Sequence, residues 1–123
     1  LVDNVALPAM LGGARESAGS YDKASALLAR MGLGDYLDAY PSEVSAGEQR
    51  RAAIARALIN DPVLLLADEP TSDLDEQTEI EIMDELLAVN RELGTTLVLV
   101  THNLALAEQA EQIVHIAGGA LVA

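Results

Sequence analysis

The sequence predicts an α/β fold with parallel strands, flanking helices, a small helical subdomain at the start and a β-hairpin at the end. Two short apolar runs, 63–67 and 95–101, are separated by one helical pattern, which is the order of a βαβ unit with parallel strands. Residues 1–40 carry apolar side chains at helical spacing. Gly118-Gly119 lies between two further apolar runs, and this pair favours a two-residue hairpin turn.

Composition places the chain among globular proteins and argues against several classes of partner. Half of the 123 residues are apolar, and the absence of Cys excludes a disulfide framework and a thiolate metal site. The net charge is −13, and residues 61–123 carry thirteen acids and one Arg. Such acidity argues against binding of nucleic acid, because the phosphate backbone is itself negative. No apolar stretch is as long as a membrane span, and no signal peptide is recognisable.

Residues 1–43 are predicted to form the helical subdomain, and 44–123 form the second unit. Asp3 or Asn4 can cap the first helix, and Ser20 can cap the second. Both helices are best explained by core packing, since nothing in them carries chemistry. The chain starts without Met and without a preceding cap or turn, so we expect a fragment of a longer protein.

A helix N-terminus opens the second unit. Ser45 and Glu48 are three residues apart, which is the spacing of a capping box, and an Ala-rich helical segment follows. Gly47 leaves the first turn bare, so its backbone N–H groups are expected to stay open to an anion. On these residues alone, an ordinary capped helix is the favoured interpretation.

The first apolar run leads directly into Asp68 and Glu69, and Pro70 ends it. An unbroken apolar run predicts a strand buried on both faces. Carboxylates at the C-terminal tip of such a strand lie where open α/β sheets bind ligands. Because adjacent carboxylates repel, a cation or a shared proton is favoured. We predict a magnesium-nucleotide site in which Asp68 holds the metal and Glu69 polarises a water. The alternative is a strand end with a solvated acidic turn.

A polar turn and a helix over about 75–93 connect the first strand to the second, which covers 95–101. His102 follows the second strand, at the sheet edge expected to carry the two carboxylates. A single His is more often structural, but the neighbouring carboxylates favour a contact with a terminal phosphate or a water. Asn103 is expected to cap a short helix, and His115 is interpreted as structural.

Four segments resemble, in order and spacing, motifs of the ABC-transporter ATPases. They are the signature motif, the Walker B strand with its glutamate, the D-loop and the H-loop, at 44–49, 64–70, 72–75 and His102. The resemblance covers essentially the whole chain and implies a partial P-loop NTPase fold, in which 44–123 form the C-terminal part of the ATPase core. Segments 4–8, 67–70 and 101–103 are most similar to ATPases of lipoprotein-release and macrolide-export systems.

The resemblance also implies roles. It implies ATP and Mg²⁺ as cofactors, with Asp68 holding the metal, Glu69 as general base and His102 on the γ-phosphate. A nucleotide held by the second subunit of a homodimer would be contacted by Ser45, Ala46, Gly47 and Glu48. The dimer seam would contain the D-loop residues Ser72, Asp73 and Asp75. The helical subdomain would dock on transmembrane permease subunits, so the implied location is cytoplasmic, on the inner face of the membrane.

The chain departs from the family pattern in two respects. Ala46 replaces the usual Gly at the second small position of the signature. No G-x-x-x-x-G-K-[ST] segment occurs, so the phosphate-binding loop is missing. The chain is therefore similar to the C-terminal half of such an ATPase, and we expect it to be inactive without the N-terminal half. In the family, the strand that carries the phosphate-binding loop lies between the His102 strand and the last strands, so the resemblance implies a gap in the sheet here. We predict that the exposed sheet edges pair with another chain or that the terminal strands shift inward.

Two other functions stay open. One is a non-catalytic interaction module, a truncated cassette kept for its dimer or permease surface. Lost nucleotide binding with retained partner binding would favour this module. The other is an ABC-type ATPase of DNA repair or chromosome organisation, which is disfavoured because the chain is acidic and contains no heptad run.

Overall fold

The computed structural model describes residues 1–12 and 19–122. Its elements are α1 (Val2–Leu11), α2 (Ser20–Arg30), α3 (Ala46–Leu58), β1 (Leu64–Asp68), α4 (Glu76–Leu93), β2 (Thr96–Val100), α5 (Leu104–Ala107), β3 (His115–Ala117) and β4 (Ala120–Val122). Two single 3₁₀ turns, Gly34–Tyr36 and Pro41–Glu43, connect α2 to α3. The predicted order of helical segments, βαβ unit and terminal hairpin is confirmed.

Helices α1, α2 and α3 pack together and share one hydrophobic core with α4 and β1. Because this core is continuous across residues 43 and 44, the division into two units stays a prediction. Two predicted caps are wrong. Helix α1 begins before Asp3 and Asn4, and the Asn4 side chain instead accepts a hydrogen bond from Arg56 of α3 at 2.9 Å. Helix α2 begins at Ser20 itself, after Gly19 in a left-handed conformation (φ 78°).

Strands β1 and β2 form a parallel pair whose register runs from Leu64 opposite Thr96 to Asp68 opposite Val100. Leu65 points to the core and is only 7% exposed, whereas Leu66 on the other face is 70% exposed. The same outer face also exposes Leu64, Val98 and Val100. The prediction that β1 is buried on both faces is therefore wrong, because the described helices cover one face only.

Strands β3 and β4 form an antiparallel hairpin in a separate sheet. Gly118 and Gly119 both have positive φ (58° and 78°), as the predicted two-residue turn requires. Within residues 1–12 and 19–122, this hairpin does not pair with β2, so the expected inward shift of the terminal strands is wrong. Pairing of the sheet edges with another chain stays a prediction. No helix in the described part of the chain is long and apolar enough to cross a membrane.

Candidate functional site

The C-terminal ends of β1 and β2 bring Glu69 and His102 into contact. The parallel ladder ends where the Glu69 backbone N–H donates to the Val100 carbonyl at 2.8 Å. Just beyond it, the His102 backbone N–H donates to Glu69 Oε1 at 3.0 Å, and His102 Nδ1 lies 2.7 Å from the same oxygen. The Thr101 hydroxyl lies 3.5 Å from Glu69 Oε2. Two residues 33 positions apart in the sequence are thus neighbours at one edge of the sheet.

Each partner of this contact favours the charged form of the other. The hydrogen bond from His102 lowers the pKa of Glu69 from its ordinary value, and the charge on the imidazole adds to this effect. The hydrogen bond to Glu69 in turn raises the pKa of His102. The His102 side chain is 85% exposed, so its ring is open to a ligand while Nδ1 faces the carboxylate. The arrangement is a hydrogen-bonded pair at an exposed edge of the sheet, and it is an ion pair when His102 is protonated.

Asp68 is the last residue of β1 and its side chain is exposed. Among the described residues, no group of three or more His, Cys, Asp or Glu side chains is arranged to hold a metal ion. Mg²⁺ in nucleotide sites keeps several waters and takes one or two carboxylates together with phosphate oxygens. A single open carboxylate fits that type of site and does not fit a metal cage made of protein ligands alone.

The predicted capping box at the start of α3 is present. Ser45 Oγ accepts from the Glu48 N–H at 3.2 Å, and Glu48 Oε2 accepts from the Ser45 N–H at 2.7 Å. Gly47 differs from the expectation of a bare turn, because it is buried against α4. A Cβ on Gly47 would lie 2.5 Å from Thr78 Cγ2, so any larger residue there would force Thr78 or the two helices to shift. Ala46, in contrast, is exposed.

The polar turn after β1 caps α4, as predicted. Asp75 accepts from the Thr78 N–H at 3.1 Å and from its hydroxyl at 2.6 Å, and the hydroxyl bond lowers the pKa of Asp75. Arg50 of α3 donates to the backbone and side-chain oxygens of Ser72, both at 3.5 Å. Asp73 is exposed and has a left-handed backbone (φ 63°). A cavity of about 270 Å³ separates this turn from the first turns of α3, and Ala46 and Arg50 line it.

The structure does not join the two halves of the predicted site. Across the described ranges, no hydrogen bond or ion pair connects Ser45, Ala46, Gly47 or Glu48 to Asp68, Glu69 or His102. The start of α3 and the ends of the strands therefore make no direct polar contact with each other in the described part of the chain.

Sequence reasoning missed one residue near the site. Glu79 of α4 accepts hydrogen bonds from Thr71 and from Asn103, which follow Glu69 and His102 on their respective loops. The sequence showed Glu79 only as an acid in the first turns of a helix, where the helix dipole explains it. No sequence pattern signals its reach to Asn103, 24 residues away.

Comparison with known proteins identifies the family. A family profile described as ABC transporter matches residues 3–72, more than half of the chain. The chain belongs to the ABC transporter family. The resemblance found in its motifs and the fold that the resemblance implied are thereby confirmed.

Named relatives agree with the finer resemblance. The chain is 54% identical over 123 residues to the macrolide export ATP-binding/permease protein MacB 1 of Aeromonas hydrophila, covering 98% of this chain and 18% of that protein. It is 43% identical over 121 residues to the lipoprotein-releasing system ATP-binding protein LolD of Syntrophus aciditrophicus, covering 98% of this chain and 54% of LolD. The chain therefore spans about half of LolD and a smaller part of MacB 1.

A solved structure agrees with the fold. The dimeric structure of MJ0796, a bacterial ABC transporter cassette, superposes with a TM-score of 0.78 at 37% identity. The superposition covers 96% of this chain and 52% of the MJ0796 chain.

Proposed function

We propose that this chain is the C-terminal half of an ABC-type ATPase subunit that couples ATP binding and hydrolysis to membrane export. The observation that carries the proposal is the contact between Glu69 and His102 at the strand ends, beside the open carboxylate of Asp68. A carboxylate base and a cationic donor at one sheet edge are the groups that phosphoryl transfer to water needs.

Glu69 and His102 divide the chemistry between them in this proposal. Bound Mg²⁺ would neutralise developing charge on the phosphates, with Asp68 holding it through water. Glu69 Oε1 is occupied by His102, whereas within the described residues Oε2 has only the long Thr101 contact at 3.5 Å and can take a proton from water. The raised pKa of His102 favours the doubly protonated ring, which donates through Nδ1 to Glu69 and through Nε2 to a γ-phosphate oxygen.

A homodimer would complete the site. Ser45, Ala46, Gly47 and Glu48 would contact the nucleotide of the partner subunit, and Ser72, Asp73 and Asp75 would lie along the seam. The exposure of Ser45, Ala46 and Asp73 supports this arrangement. The MJ0796 cassette is described as dimeric, which is consistent with it.

Two further surfaces support the proposed partners. Helix α1 exposes Leu7, Met10 and Leu11, an apolar surface suited to transmembrane permease subunits. The outer face of the β1–β2 pair is apolar and would be covered by the N-terminal half of the domain. The proposed location is therefore the cytoplasmic side of the membrane, held there by permease contacts.

The alternative is a non-catalytic interaction module. One observation favours it: apolar surfaces on α1 and on the outer face of the sheet are exposed and could bind a partner. Such a module would bind its partners without nucleotide.

Calorimetric titration with Mg²⁺·ATP distinguishes the ATPase proposal from the interaction module. We expect no heat with the chain alone, and binding once the chain is expressed with the remaining segment of LolD, which by the family resemblance carries the phosphate-binding loop. Glu69→Gln should bind as well as wild type, because it alters the base and leaves Asp68 and the loop in place. A complemented pair that stays folded and binds no nucleotide would favour the interaction module.

A further inference from the structure

Glu79 joins the two loops that carry Glu69 and His102. Its Oε2 accepts from the Thr71 hydroxyl at 3.3 Å, and its Oε1 accepts from Asn103 Nδ2 at 3.2 Å. Thr71 is only 5% exposed, so this side of the carboxylate is shielded from water. One side chain of α4 therefore contacts the loop after β1 and the loop after β2.

Apart from the direct bonds of Glu69 with Thr101 and His102, few contacts in the described structure hold these loops together. The backbone ladder stops at the bond between the Glu69 N–H and the Val100 carbonyl. Among the described residues, no backbone hydrogen bond joins 70–75 to 101–105 beyond that point. The exposed His102 ring is not fixed by packing, so its position depends on side-chain hydrogen bonds.

Further hydrogen bonds connect Asn103, the partner of Glu79, to Glu69 through Thr101. Asn103 donates its backbone N–H to the Thr101 hydroxyl at 3.0 Å, and that hydroxyl lies 3.5 Å from Glu69 Oε2. The other end of the Asn103 side chain accepts from the Ala105 N–H at 3.0 Å and so starts α5. An Asn103 side chain held at both ends fixes the backbone on which His102 sits.

We propose that Glu79 is a positioning residue, which holds the Glu69 loop and the His102 loop at a fixed separation through Thr71 and Asn103. This role deepens the proposed ATPase function and rests on it. Glu79 touches neither the nucleotide nor the attacking water in this scheme. It acts by holding Glu69, the base, and His102, the hydrogen-bond donor to the phosphate, at a fixed distance from each other.

Two substitutions at Glu79 separate hydrogen bonding from charge. Glu79→Ala removes both acceptor oxygens. Glu79→Gln removes the same negative charge but keeps an amide oxygen for Asn103 and an amide N–H for the Thr71 hydroxyl. Asp84→Ala is the matched control, because Asp84 is an exposed acid on the same helix without a hydrogen bond or ion pair in the described structure.

Amide hydrogen exchange of the 123-residue chain, read by NMR without nucleotide, is the first measurement. In Glu79→Ala the His102 and Asn103 amides should exchange about five- to tenfold faster, the effect of losing one or two hydrogen bonds. They should stay within about twofold of wild type in Glu79→Gln and Asp84→Ala, and Val98 in β2 should be unchanged throughout. Unchanged loop amides in Glu79→Ala, or an equal acceleration of Val98, overturns the proposal. A Glu79→Gln chain that matches Glu79→Ala also overturns it, since charge alone would then explain the effect.

The second measurement is steady-state ATP hydrolysis by the chain complemented with the LolD segment. Glu79→Ala should lower kcat about tenfold with little change in KM for ATP, and Glu79→Gln should restore most of kcat. An unchanged kcat in Glu79→Ala overturns the positioning role. If the complemented wild type hydrolyses no ATP, the proposed function fails, whereas the exchange experiment still decides whether Glu79 holds the two loops.

Discussion

Gly47 is the position at which a single methyl group has the clearest predicted effect. In Gly47→Ala the added Cβ would lie 2.5 Å from Thr78 Cγ2, about 1 Å inside ordinary contact. Thr78 cannot turn away easily, because Asp75 accepts from both its N–H and its hydroxyl. Overpacking of this kind costs about 2 kcal/mol, and the better helix propensity of Ala returns about 0.5 kcal/mol. We expect a net loss of about 1.5 kcal/mol in the free energy of unfolding.

A double-mutant cycle tests the cause. Thr78→Ser removes Cγ2 but keeps the hydroxyl that Asp75 binds, and the next atom near the new Cβ is Thr78 Cβ at 3.9 Å. Urea denaturation of wild type, both single variants and the double variant should therefore give a coupling energy of about 1.5 to 2 kcal/mol. Additive effects of the two substitutions would refute the steric explanation and leave Gly47 to be explained by phosphate contact alone.

Three further predictions follow from the contacts. His102→Ala should lower the melting temperature most between pH 4.5 and 6.5. The stabilisation from His102, whose pKa is raised, is full below pH 6.5 and is lost as the pH rises through the raised value. The stabilisation from Glu69, whose pKa is lowered, is full above pH 4.5 and is lost as the pH falls through the lowered value. A difference from wild type that does not vary with pH contradicts the ion pair. Ser45→Ala should lose about 1 kcal/mol in urea denaturation through the missing cap, and a loss within error of zero contradicts the capping role. Leu65→Ala should lose about 2 to 4 kcal/mol in the same assay and Leu66→Ala less than about 1 kcal/mol, because only Leu65 is buried; equal losses would mean that the outer face of the sheet is covered in solution.

Local features of the fold and of the site followed from the sequence. The box of Ser45 and Glu48, the cap at the start of α4 and the hairpin turn at Gly118-Gly119 depend on neighbouring residues, so short patterns reveal them. The meeting of Glu69 and His102 followed from topology, because parallel strands place their C-terminal ends at one edge.

Features that depend on tertiary packing could not be predicted from the sequence. The apolar run of β1 predicted burial on both faces, but burial depends on what packs against a strand, and nothing in the described part of the chain covers Leu66. The contact of Gly47 with Thr78 depends on how closely α3 approaches α4. The reach of Glu79 to Asn103 depends on the orientation of α4 over the strand ends. No local pattern encodes those distances.

The central claim, that Glu69 is the base of a nucleotide site completed by the N-terminal half of such a domain, is tested most directly by ATP hydrolysis. The assay compares the LolD-complemented chain with its Glu69→Gln variant and with Glu76→Gln, an exposed acid of α4, as the matched control. We expect Mg²⁺-dependent hydrolysis that falls by about 10²-fold or more in Glu69→Gln, with nucleotide binding retained and Glu76→Gln unchanged. Hydrolysis at the wild-type rate in Glu69→Gln would contradict the account.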